Sequence, residues 1–147
     1  SSQSAKVAGG PGTSGSDSAN AAKNGGGARL QLIQYKEAAM MGFHKKPAHP
    51  ALVQYGTILV HRDANRDQKR TGDPISPAFG INHHGTKLHF KGETVGNWSE
   101  GCCVGWNWSE HLEFINLMKT DPRYIADKSF KWDFTLIDSA KLKNPMV

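Results

Sequence analysis

Cysteine is scarce in this chain: of 147 residues only Cys102 and Cys103 are cysteines, and they are adjacent. Two neighbouring thiols build no disulfide framework, and a bond between them would close a strained ring. One packed thiol and one reactive thiol is therefore the expected division. No apolar run is long enough to span a bilayer, and no charged-then-hydrophobic signal segment opens the sequence. Residues 1–28 contain no aromatic residue and a single proline among Ser, Gly, Ala, Asn and Lys. Such a composition buries too little apolar surface to offset the entropy of ordering. Residues 1–28 thus read as a flexible linker or tail, and 29–147, about 120 residues, as one domain large enough for a compact core.

Lysine and arginine number 18 against 13 acidic residues, a formal charge of +5. A basic surface favours an anionic partner, whether nucleic acid, anionic lipid or bacterial cell wall. The basic residues are scattered, however, from Lys45 and Lys46 through Arg62, Arg66, Lys69 and Arg70 to Lys128 and Lys131. That spacing describes a solvated surface better than a dedicated stripe.

The patterning is β-rich with at least one helix. Arg29 to Tyr35 has the alternation to open a strand, whereas Glu37 to Met41 is more helix-like, and Gly42 to Pro50, with two prolines, reads as a loop. Gln54 to His61 is a β-branched and aromatic run of strand length, and Arg62 to Pro77 a long connection. Phe79 to His84 is a strand candidate in which Asn82 and His84 share one face and Ile81 and His83 the other. Lys87 to Val95 suits a ribbon turning at Gly92, and Gly96 to Gly105 a sharply turning loop. Asn107 with Glu110 forms a capping box ahead of Leu112, Phe114, Ile115 and Met118 at helical spacing, and that helix should stop at Asp121-Pro122. Phe130, Trp132, Phe134 and Leu136 alternate with polar residues, which predicts a strand with one buried face.

The densest chemistry lies in His83-His84-Gly85-Thr86 and Gly96-Asn97-Trp98-Ser99-Glu100-Gly101-Cys102-Cys103. An isolated thiol titrates at roughly 8.5, so a nucleophilic cysteine needs a base or a cationic partner, which histidine supplies. Gly101 permits a tight turn whose backbone N–H groups can face a developing oxyanion. From the residues alone other readings stay open. Cys102 can be a packed, inert thiol. A metal-dependent wall hydrolase can be assembled from His83 or His84, His89 and a cysteine or carboxylate, although the spacing fits no established zinc pattern. A non-catalytic wall-binding module would use the basic surface and the aromatics. His44, His49, His61 and His111 read as surface histidines, and Trp98, Trp106 and Trp108 as core or cleft wall.

His84-Gly85-Thr86 followed, 18 residues on from His84, by the cysteine of Ser99-Glu100-Gly101-Cys102 resembles the signature of the L,D-transpeptidase (YkuD-like) catalytic domain. In that family a strand-ending histidine precedes a ribbon and then Ser or Thr, one residue, Gly and Cys; a helix and a closing strand follow. Glu100 stands where the family usually has histidine, and Val104 where it usually has Arg or Asn. Gly96-Asn97-Trp98-Ser99 is similar to a divergent branch among phage and secreted wall-targeting proteins. The resemblance implies a β-rich α+β fold, a sandwich or barrel with a helix after the cysteine loop. It also implies cysteine-dependent acyl transfer on peptidoglycan stem peptides through a thioester, as L,D-transpeptidase, carboxypeptidase or D-amino-acid exchange.

By position, Cys102 would be the nucleophile, His84 the base, and the Gly85 carbonyl the group that orients it. Gly101, Cys102 and Cys103 would supply oxyanion N–H groups, and Trp98, Ser99, Asn82 and His83 would contact substrate. The family implies no metal or other cofactor, no nucleic-acid partner and no membrane span. It places the enzyme in the periplasm, in the cell wall or outside the cell, and as an antibacterial effector it would have a delivery or immunity protein as partner.

Overall fold

The computed structural model describes the backbone of residues 5–7 and residues 26–67, 69–86, 101–105 and 107–138. The chain folds as nine strands and two helices within those residues: β1 (Ala5–Val7), β2 (Gly27–Leu30), β3 (Gln34–Lys45), β4 (Ala48–Gln54), β5 (Ile58–Asp63), β6 (Ile75–Ala78), β7 (His83–Gly85), β8 (Cys103–Gly105), α1 (Trp108–Lys119), α2 (Pro122–Ala126) and β9 (Lys131–Thr135). A six-stranded sheet runs β1-β8-β7-β4-β3-β9, and a three-stranded sheet β2-β5-β6. The result is a β-rich α+β domain. No helix among the described residues is long and apolar enough to cross a membrane.

Among the described residues, apolar clusters hold the layers together. Ala28, Leu30, Tyr35, Ala38, Ile58, Val60, Ala78, Ile81 and Cys103 pack where the two sheets meet. The Tyr35 hydroxyl, carried into that core, lies 2.7 and 2.9 Å from the carbonyls of Gln31 and Leu59, which share its one proton. A second cluster of Leu52, Ile115 and Trp132, with Phe114 and Met118 beside it, seats α1 on the large sheet. Glycine makes that seat possible: a Cβ at Gly85 would come within 2.9 Å of the His111 ring, and one at Gly105 within 3.2 Å of its Cβ.

The helix behaves as its sequence predicts. Asn107 caps it, its side chain accepting from the N–H groups of Ser109 and Glu110, and it ends at Lys119 ahead of Asp121-Pro122. Strand β9 is also where alternation puts it, with Trp132 buried and Asp133 exposed. Asp133 is put to structural use, accepting from Lys36 Nζ at 2.7 Å and from the Glu37 N–H at 2.9 Å. This clamps a bulge between Tyr35 and Ala39, where Glu37 takes a φ of 44°.

Several expectations are corrected. Glu37 to Met41 is not helical, and Gly42 to Pro50 is not a loop: β3 and β4 form one long hairpin paired from Ala39↔Gln54 to Lys45↔Ala48. Pairing with a central strand overrides the weak helical preference of Ala and Met. The strand expected over Gln54 to His61 is split, its first residue ending β4 and the rest beginning at Ile58. The connection after Arg62 closes early, at β6. The tail also differs: Ala5–Val7 pairs with Cys103–Gly105, and β2 begins at Gly27. An added edge strand is held by backbone hydrogen bonds, which a composition argument about apolar side chains does not register. The ribbon expected over Lys87 to Val95 lies outside the described residues, as do His89, Gly96 to Glu100 and Trp106.

Candidate active site

Parallel strands β7 and β8 carry the residues of interest, in the register His83↔Cys103, His84↔Val104 and Gly85↔Gly105. Alternation separates them by face. His83 and Cys103 point to the α1 side and His84 and Val104 to the other; Cys102 immediately precedes β8. The Cys102 thiol lies along the segment that leads into β7. Its Sγ is 3.4 Å from the Gly80 carbonyl, to which the S–H donates, and 3.5 Å from the Asn82 N–H, which it accepts. The thiol is partly exposed, at the wall of a cavity of about 140 Å³ lined also by Ala28, Arg62, Phe79, Gly80 and Ile81.

Gly101 has a φ of +126°, and a Cβ there would approach Ala28 and Ile81 to 3.0 and 3.2 Å, so the turn before the thiol requires glycine. Of the three N–H groups expected to face an oxyanion, that of Cys103 is excluded. It donates to the Asn82 carbonyl at 2.9 Å, because Cys103 is already in the β7–β8 ladder. Gly101 and Cys102 remain as candidate donors.

His84 is 2 % exposed. Its Nδ1 lies 2.8 Å from the Gly85 carbonyl, and since a carbonyl only accepts, Nδ1 carries the proton and Nε2 is the basic nitrogen. Burial lowers the imidazole to about 4; the Gly85 carbonyl pulls the other way, and the neighbouring imidazoles of His44, His49 and His111 lower it further. At neutral pH His84 is therefore an uncharged base. It is not the cationic partner that would stabilise a resting thiolate.

The remaining sequence candidates are placed as follows. His83 is turned away from Cys102, against Phe114 (ring centroids 4.7 Å apart) and His111 (5.7 Å), and burial lowers it to about 4. It borders an apolar cavity of about 360 Å³ under α1, with Leu52, Met118 and Trp132. Asn82 has its side-chain oxygen engaged by the Gln54 N–H at 3.1 Å. Cys103 is buried and its thiol is pushed up to about 12 by desolvation first and by Cys102 second. Trp98 and Ser99 lie outside the described residues.

Three histidines read from sequence as surface residues are not. His49 and His111 are buried, and the His44 ring stacks on His84 at 4.1 Å and 20°. The one available signal was the apolar run Ala51-Leu52-Val53 beyond His49, which marks a buried strand. Nitrogens of His44, His49 and His84 lie within 4.8 Å of one another. Near-parallel stacked rings direct their in-plane lone pairs side by side rather than onto one point, and both nitrogens of His49 are already hydrogen-bonded. Only His44 and His84 are stacked, His49 standing tilted and edge-on to them, and with both His49 nitrogens engaged the group offers a cation at most two imidazole lone pairs.

Comparison with family models, curated proteins and solved structures finds no match to this chain.

Proposed function

We propose that this chain is an L,D-transpeptidase-like cysteine acyltransferase acting on peptidoglycan stem peptides. The observation that carries the reading is the hydrogen bond from His84 Nδ1 to the Gly85 carbonyl, which leaves Nε2 as the basic nitrogen on a strand paired with the one that follows Cys102. A neutral imidazole of fixed tautomer has a lone pair that can take a thiol proton, and Cys102 is the partly exposed thiol of the pair.

In this reading the Cys102 S–H proton passes to His84 Nε2 as Sγ bonds to the carbonyl carbon of the third residue of a tetrapeptide stem. The resulting oxyanion is met by N–H groups of the Gly101-Cys102 turn. The C–N bond to the terminal D-alanine then breaks, its amine taking the proton from Nε2, and a thioester remains on Cys102. An amine resolves it to a cross-link, a D-amino acid to an exchanged stem, and water to a trimmed one. Arg62 at the wall of the Cys102 cavity offers a cation to a stem carboxylate, a contact that Val104 cannot make. Such an enzyme works in the periplasm, in the cell wall or outside the cell, as a wall enzyme or an antibacterial effector.

Incubation with tetrapeptide muropeptides, read by mass, tests the proposal: loss of D-alanine, its replacement or dimer formation supports it. Turnover that survives in Cys102→Ala but stops on chelation would favour the metal-dependent hydrolase instead.

A further inference from the structure

We infer that His49 is a positioning residue that holds Gly85, and through Gly85 the tautomer of His84. The inference rests on the proposed role of His84 as base. Its structural basis is a break in the sheet. The β4–β7 pairing is confined to Leu52↔His83; continued two residues, that register sets Pro50 opposite Gly85. Proline has no N–H to give the ladder.

Two imidazoles fill the gap. His111 Nε2 donates to the Pro50 carbonyl at 2.8 Å, and the Gly85 N–H donates to His49 Nε2 at 3.0 Å. The His49 ring is itself anchored, Nδ1 donating to the Pro47 carbonyl at 2.6 Å. That contact puts the proton on Nδ1 and leaves Nε2 as the acceptor that Gly85 requires. Gly85 is thus held on both sides. Its N–H goes to His49, and its carbonyl takes the His84 Nδ1–H at 2.8 Å. Because Gly85 has no side chain, its backbone torsions are otherwise the least restrained of the strand. If it turned, the carbonyl would leave His84, and the proton would be free to move to the nitrogen that has to act as base.

Two substitutions separate the halves of the link. Gln at position 49 can place its carbonyl oxygen where Nε2 stands and accept from Gly85. Asn can reproduce the contact to Pro47 but cannot reach Gly85. The experiment is nitrogen-15 NMR of the imidazoles in the whole chain, with kcat and KM on a tetrapeptide muropeptide.

In the wild type we expect a scalar coupling across the N–H···N bond from Gly85 to His49, and His84 protonated at Nδ1. His49→Gln should keep the His84 signals. His49→Asn should shift them toward the Nε2-protonated form and lower kcat by about tenfold or more, KM changing little, as expected of a base held in the wrong tautomer. Absence of the coupling in the wild type, or wild-type His84 signals in His49→Asn, overturns the inference. Should His49→Asn fail to fold, the wild-type coupling and the Gln variant still decide. A tautomer that follows position 49 while His84→Ala leaves turnover intact would refute the base role and leave the positioning standing.

Discussion

His84 and Gly85 are neighbours in the chain and partners across a hydrogen bond, Nδ1 to carbonyl oxygen at 2.8 Å. One short contact therefore settles which nitrogen of a buried imidazole is basic. The Gly85 carbonyl thereby orients the proposed base.

The two adjacent cysteines should behave as different chemical species. Cys102 is partly exposed, whereas Cys103 is 4 % exposed and its thiol is raised to about 12. Iodoacetamide near neutral pH should label the native protein once, at Cys102, by peptide mapping, and label Cys103 only after denaturation. Cys103→Ala should retain activity and lose about 1 kcal/mol of stability. Equal labelling of both thiols in the native state would contradict this.

Acid should destabilise the fold through histidines. His83 and His84 titrate at about 4 in the folded chain against about 6.5 unfolded. Between those values the unfolded chain binds more protons, so stability rises with pH through the window. The contribution is fully present above about 6.5 and is lost as pH falls to about 4, on the order of 3 kcal/mol per histidine. His49 and His111, also lowered by burial, act in the same direction. Urea unfolding at pH 7 and pH 4.5 should show the loss, and His83→Gln should flatten the slope whatever it does to absolute stability.

Much of this was legible from the sequence, for reasons that are local. The Asn107 cap, the alternation through Trp132 and the opposite faces of His83 and His84 follow from local capping chemistry and strand period. The long β3–β4 hairpin was not legible, because Ala39, Met40 and Met41 carry no strand signal and their state is set by pairing. Nor were His49 and His111, whose partners Gly85 and Pro50 meet them only in the folded sheet.

Removing the glycine before the thiol should impair folding or activity. Gly101 adopts a φ of +126°, and an added Cβ would meet Ala28 at 3.0 Å. Gly101→Ala should cost about 1–3 kcal/mol, by thermal or urea unfolding, and should lower kcat even where the variant remains folded. A variant with wild-type stability would show that the turn tolerates a side chain.

Arg62 should matter for substrate capture more than for chemistry. It borders the Cys102 cavity, its Nε donating to Ser76 Oγ at 3.3 Å. Loss of a charge-assisted contact to a stem carboxylate is worth about 1.5–3 kcal/mol, or about 10- to 100-fold. Arg62→Met should accordingly raise KM on tetrapeptide muropeptides by about that factor with a smaller change in kcat. An unchanged KM would remove Arg62 from the substrate site.

The central claim is that Cys102 carries an acyl group in turnover. Rapid quenching of the protein with a tetrapeptide muropeptide, followed by intact mass and peptide mapping, measures this directly. The account predicts a hydroxylamine-labile adduct on the Cys102 peptide, equal to the stem less its terminal D-alanine. That adduct should be absent from Cys102→Ala and should form much more slowly in His84→Ala. Release of D-alanine that continues unchanged in Cys102→Ala, or an adduct mapped to Cys103, would contradict it.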